Sequence, residues 1–140
     1  MRAVVQRVSR AAVRAEGEML AEIGPGLLVL LGIGHEDSED TAKRLATKVR
    51  ALRIFEDAAG RMNDPIGDER EILCVSQFTL YADTSRGNRP SFTAAAEPQT
   101  AAALYAATCE ALRAKRGRFA AHMAVELVND GPVTIVVEVT

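Results

Sequence analysis

Ile72-Leu73-Cys74-Val75-Ser76-Gln77-Phe78-Thr79-Leu80 passes from an apolar run into polar chain. Its first part, Ile72 to Val75, is continuously apolar, the pattern of a strand covered on both faces. Beyond Leu80 comes Tyr81-Ala82-Asp83-Thr84-Ser85-Arg86-Gly87-Asn88-Arg89-Pro90, which is rich in turn-forming residues. A strand that leaves a core for a polar loop is a common place for a site, because the core holds its backbone rigid. If the strand runs on to Leu80, Gln77 and Thr79 share a face with Leu73 and Val75, while Ser76 and Phe78 share the other with Ile72 and Cys74. The same residues also suit a strand end whose side chains cap their own backbone.

Working outward, Gly26-Leu27-Leu28-Val29-Leu30-Leu31-Gly32 is a second apolar run bounded by glycines, and it predicts a central strand. Met1 to Arg14 alternates apolar and polar residues, and strands are expected there and on through Glu18 to Ile23. A helix is expected over Ser38 to Arg53, with Ala42, Leu45, Ala46, Val49 and Leu52 as its buried stripe. Arg53 to Phe55 is a candidate short strand. Asp57 to Glu69, with two glycines, a proline and several acids, reads as a loop. A second helix starts near Pro98, with Leu104, Tyr105, Thr108 and Leu112 facing inward and Gly117 as its stop. Two last strands, Phe119 to Val128 and Val133 to Val139, are expected to be joined by a turn at Asn129-Asp130-Gly131-Pro132. Strands with two helices between them suggest an α/β or α+β domain with its helices on one side.

The chain has 140 residues, enough for one domain with a real core, and a formal net charge of −2. A mildly acidic chain is a poor general binder of nucleic acid, so any RNA contact needs a local basic patch. Cys74 and Cys109 are far apart and form no Cys-x-x-Cys pair, which argues against a disulfide framework or a structural zinc site. Free thiols and the lack of a signal-peptide pattern or a membrane-length apolar run suggest a cytoplasmic protein.

Ser76 and Thr79 are candidate nucleophiles, but each needs a base within hydrogen-bond reach. The only histidines are His35 and His122. His35 is expected to help cap a helix or face solvent, and His122 to sit in a strand as a structural residue. There is no Gly-x-Ser-x-Gly elbow, so a triad is unsupported. The acidic pairs Glu36-Asp37 and Asp68-Glu69 lack histidine partners and read as solvated rather than metal-binding. Arg113, Lys115, Arg116 and Arg118 suit a helix C-terminus. Arg86 and Arg89 flank a glycine just past Leu80, where two readings stay open: phosphate contact or a solvated loop. Gly131-Pro132 is either an ordinary turn or a place where small residues present their backbone carbonyls to a partner.

Taken together, Ser76 to Leu80 and Asn129-Asp130-Gly131-Pro132-Val133-Thr134 make the chain resemble the bacterial and eukaryotic D-aminoacyl-tRNA deacylases. Both signatures of that family are intact. Gln6-Arg7-Val8, Gly26 to Gly32, Arg53-Ile54-Phe55, Met62-Asn63 and Arg86-Gly87-Asn88-Arg89-Pro90-Ser91-Phe92 extend the resemblance from end to end. It implies an α/β fold, specifically a layered β/β/α domain over residues 1–140 with barrel-like packed sheets and two helices on one side. It implies hydrolysis of the ester joining a D-amino acid, or glycine, to the terminal ribose of tRNA. Ser76, Gln77, Phe78 and Thr79 would line the pocket. Gly131 and Pro132, through a cis peptide, would reach into a partner's site in a homodimer and exclude L-side chains. No metal and no organic cofactor is expected. The alternatives are a dimeric RNA-binding module without catalysis and a triad-type esterase for small esters.

Overall fold

In the computed structural model, which describes residues 1–140, strands β1 (Arg2–Ala15), β2 (Glu18–Ile23) and β3 (Gly26–Gly32) lead into helix α1 (Glu39–Ala51). The short strands β4 (Phe55–Glu56) and β5 (Met62–Asp64) come before β6 (Glu71–Ser76). A 3-10 turn at Phe78–Tyr81, helix α2 (Pro98–Leu112), β7 (Lys115–Arg116) and β8 (Ala124–Glu138) complete the chain.

The two apolar runs lie side by side. β3 and β6 pair in parallel, with Leu27 opposite Ile72 and Leu31 opposite Ser76. Parallel neighbours need a crossover connection, and α1 lies within it. The strand order is β2-β1-β3-β6-β7, with β8 added along β1. β1 is long enough to hold β3 at one end and β2 at the other, while β8 runs antiparallel to it from Arg2 to Arg14.

Alternation along the central strands sends side chains into two cores. Leu27, Val29, Leu31, Ile72 and Cys74 face both helices, together with Ala3 and Val5 of β1. Leu28, Leu73 and Val75 point the other way and meet Val8, Ala11, Val13 and Ile23 inside the curled sheet. Lys115 narrows the open side of the curl by donating to the Glu22 carbonyl and pairing with Glu71 at 2.8 Å. The result is a mixed, nearly closed barrel-like sheet with two helices against one face, as the fold class anticipated.

α1 begins at Ser38, whose hydroxyl accepts from the Thr41 N–H in a reciprocal capping box. Its stripe Ala42, Leu45, Ala46 and Val49 is buried, and Leu52 is the C-cap. In α2, Leu104, Tyr105, Thr108 and Leu112 are buried as expected. That helix ends at Arg113 in the left-handed conformation, φ 55°. The expected stop at Gly117 is therefore four residues late. Gly117 instead passes against Met123, whose Sδ would lie 2.7 Å from an added Cβ.

Three further expectations change. The expected loop between Asp57 and Glu69 contains β5, which pairs back on β4. The expected strand to Leu80 stops at Ser76, because the chain then winds into the 3-10 turn. The two expected last strands are one, β8, since both halves pair with β1 in the same direction and no reversal occurs at Asn129 to Pro132.

Candidate active site

The end of β6 is set by its neighbour. Ser76 is the last residue of the parallel ladder, and the Gln77 N–H donates to the Leu31 carbonyl at 2.8 Å. The chain then tightens: the Leu80 N–H donates to the Gln77 carbonyl at 3.2 Å, and the Ala82 N–H to the Thr79 carbonyl at 3.0 Å. The alternation expected for Phe78 and Thr79 is thereby lost. Two glycines of the neighbouring chain make room for the turn. A Cβ on Gly32 would lie 2.9 Å from Leu80 Cβ, and one on Gly34 would lie 2.8 Å from the Tyr81 ring. The Gln77 side-chain amide donates to the Thr79 hydroxyl oxygen. Phe78 is 56% exposed and meets Phe92 edge to face at 5.0 Å.

Ser76, Gln77 and Phe78 form one wall of a cavity of about 680 Å³. Phe92, Phe119 and Met123 contribute apolar surface to the rest. His35 and His122 also reach it. His35 is exposed, one of the two expectations for it, and lies 2.6 Å from the Thr93 carbonyl rather than capping α1. His122 sits in the irregular chain before β8, exposed, and not in a strand. Neither histidine hydrogen-bonds to Ser76 or Thr79. Thr79 lies outside the cavity wall, as do Gly131 and Pro132.

Gly131 and Pro132 stand on a bulge. Between the pairs Val8–Asn129 and Gln6–Thr134, β1 contributes one residue, Arg7, while β8 contributes Asp130 to Val133. The extra chain projects outward, and both Gly131 and Pro132 are exposed. Their peptide is cis. Side chains brace the loop from below. Asn129 Oδ1 accepts from the Val133 N–H at 2.9 Å. Arg7 donates to the Asp130 carbonyl at 3.0 Å and to the Ile54 carbonyl at 2.7 Å. Gly131 has φ +135°, and an added Cβ would lie 2.8 Å from Val133 and 3.0 Å from the Arg7 guanidinium. The sequence reading missed this role of Arg7, whose only signal was its place in Gln6-Arg7-Val8.

Arg86 and Arg89 lie in an exposed loop closed by paired backbone bonds between Asp83 and Ser91, at 2.7 and 2.9 Å. Hydrogen bonds from Ser85 hold the Asp83 carboxyl below its usual range. Phe92 and Thr93, just past this loop, border the cavity. One chain therefore joins the arginines to the pocket, while the Gly-Pro bulge stands apart from it.

The pocket thus presents a hydroxyl, an amide and an aromatic ring at the end of a parallel strand in a barrel-like mixed sheet, with neither histidine hydrogen-bonded to a hydroxyl of that segment. The particular family is given by comparison. Residues 4–138 match the family model described as D-Tyr-tRNA(Tyr) deacylase, and the chain belongs to that family. A D-aminoacyl-tRNA deacylase of Deinococcus radiodurans is 56% identical over 99% of this chain and 100% of its own. One from Myxococcus xanthus is 54% identical over 99% of this chain and 94% of its own. A solved structure titled c-Myc DNA Unwinding Element Binding Protein superposes with a TM-score of 0.94 at 43% identity, over 100% of this chain and 99% of that one. A probable eukaryotic D-amino acid tRNA deacylase superposes with a TM-score of 0.85 at 15% identity, over 99% and 98% of the two chains, a likeness of fold.

Proposed function

We propose that this chain hydrolyses the ester bond of D-aminoacyl-tRNA and releases the free D-amino acid and tRNA. The observation that carries this reading is family membership across nearly the whole chain, with Ser76, Gln77 and Phe78 in the wall of the cavity and Thr79 next to it in the chain. An aminoacyl ester is an activated substrate. The first N–H groups of a helical turn have no partner within it. Those of Phe78 and Thr79 are the candidate donors to the oxyanion, and a donor of that kind is worth about 3–4 kcal/mol. Such donors lower the barrier for an already activated ester, and in this reading no histidine base takes part. Gln77 holds the Thr79 hydroxyl in place, and Ser76 and Phe78 shape the wall.

Rejecting L-substrates by ~10⁴ needs about 5–6 kcal/mol, whereas an apolar pocket distinguishes one methylene by only ~1–3 kcal/mol. A rigid backbone wall supplies more, through clash and lost hydrogen bonds. The Gly131–Pro132 bulge is built as such a wall, yet it stands outside its own chain's cavity. It therefore acts in this reading on the site of a second copy. β8 supports a homodimer: it pairs only with β1, so its outer edge is open, and Val128 and Val136 are exposed along it. Glycine, with no side chain to meet the wall, is also accepted. Arg86 and Arg89 contact the tRNA backbone. The name of the 43%-identical structure raises a DNA element as a second ligand, and the family model, which names a tRNA deacylase, favours tRNA.

The test is hydrolysis of matched D- and L-aminoacyl-tRNA, with complementation between chains. Gly131→Val fills the bulge, and Gln77→Ala damages the pocket. Each variant alone should be inactive on D-aminoacyl-tRNA. After subunit exchange, a mixed dimer holds one site with both parts intact, and activity should return. No return despite proven exchange means that the bulge serves its own chain. Equal hydrolysis of D- and L-esters by the unaltered protein removes the chiral reading.

A further inference from the structure

The 3-10 turn Phe78–Tyr81 buries none of its own residues. Leu80 and Tyr81 are half-buried against Gly32 and Gly34, while Phe78 and Thr79 are exposed, so packing holds only one side of the turn. Its carbonyls are also unevenly satisfied: those of Gln77 and Thr79 accept from the Leu80 and Ala82 N–H groups. Leu80's carbonyl accepts instead from the Arg2 guanidinium at 3.1 Å. The same guanidinium lies 4.5 Å from the centre of the Tyr81 ring, within cation–π range. From the other side the ring abuts Gly34, where a Cβ would come within 2.8 Å. Burial, with Asp37 nearby, pushes the Tyr81 hydroxyl up to about 12, so the ring is neutral at any working pH.

We infer that Arg2 is a positioning residue, whose guanidinium holds the turn Phe78–Tyr81 against the start of β1 and so sets where Phe78 and Thr79 stand beside the cavity. Arg2 lies opposite Gly32 in the β1–β3 ladder, on the strand that holds both β3 and β8. None of its side-chain hydrogen bonds reaches a residue of the cavity wall. Its side chain is 40% exposed, with the covered part lying over Tyr81. The third contact, Glu138 Oε1 at 3.2 Å, is a surface ion pair and contributes little to stability. The inference rests on the reading of Ser76 to Thr79 as the reacting site.

The experiment compares Arg2→Leu, Arg2→Lys, Glu138→Gln and Gln77→Ala on D-aminoacyl-tRNA, with kcat, KM and Tm measured for each. Arg2→Leu removes the guanidinium and leaves a shorter apolar side chain. Its kcat should fall about ten- to a hundredfold, the cost of a small misplacement of a reacting group, with KM little changed and Tm well above the assay temperature. Arg2→Lys retains a cation and a donor but not the planar fork, and it should recover part of the kcat. Glu138→Gln removes only the surface pair and should match the unaltered chain. If Arg2→Leu keeps full kcat while Gln77→Ala is inactive, the positioning role is wrong and the site reading stands. A kcat loss that tracks a fallen Tm, or one that Arg2→Lys does not recover in part, also overturns the role. Full activity in Gln77→Ala overturns the site reading itself, and the role of Arg2 with it.

Discussion

Gly24 and Gly26 flank the same proline and answer an added methyl group in opposite ways. At Gly24 nothing lies within 4 Å of an added Cβ. At Gly26 the Cβ would stand 1.8 Å from the Glu71 carbonyl oxygen, on the first step of the parallel β3–β6 ladder. Backbone cannot yield there without breaking that ladder. Gly24→Ala should thus change stability by no more than about 0.5 kcal/mol. Gly26→Ala should cost more than about 3 kcal/mol, beyond the ordinary range for one substitution. Urea denaturation of the two variants checks the contrast, and equal midpoints would contradict it.

At the scale of elements, the two helices are started differently. α1 has a reciprocal cap at Ser38, while α2 has a proline in its first turn and no side-chain cap at Glu97. Ser38→Ala should cost about 1 kcal/mol, the usual value of a lost N-cap. Glu97→Ala should cost less, because no cap bond is removed. Thermal unfolding of both variants decides this, and a larger loss for Glu97→Ala would count against the assignment. The strands show the reach of local pattern. The β3 and β6 runs were readable because each is apolar on both faces. The single course of β8 was not, because Asn-Asp-Gly-Pro carries the same local chemistry in a hairpin turn and in a bulge. Pairing with one long partner, β1, selected the bulge.

For the whole molecule, charge is the relevant quantity. The chain is net negative, yet Arg86 and Arg89 stand in an exposed loop without an ion-pair partner. Binding to tRNA should weaken with added salt, and Arg86→Ala and Arg89→Ala should each lower the slope of log K against log salt by somewhat less than one unit. Filter binding across a salt series measures it, and unchanged slopes would place the RNA on another face. Acid should act at the seam of the curled sheet. Hydrogen bonds from Lys115 and the Gly24 N–H hold the Glu71 carboxyl below its ordinary 4.5. A carboxyl with a lowered folded-state pKa contributes stability that is fully present above its unfolded value and lost as pH falls through the folded one. The difference in Tm between the unaltered chain and Glu71→Gln should therefore shrink on acidification below about pH 4.5. A constant difference from pH 7 to pH 3 would show that the Lys115 pair is idle.

The sequence by itself determined the central strands, the buried stripes of both helices and the family, since these rest on local periodicity and on residue order along the chain. It also marked Ser76 to Thr79, Gly131-Pro132 and the two loop arginines as the residues of interest. Only the tertiary structure decided their arrangement. Leu31, distant in sequence, takes the Gln77 N–H and marks where β6 ends. Gly32 and Gly34 leave the space into which the 3-10 turn packs. Arg7 reaches from β1 to brace the Gly-Pro bulge, and Arg2 reaches from the same strand to the turn. Each of these contacts joins residues far apart along the chain, and a local pattern has no means of recording which distant backbone will offer the carbonyl or the space.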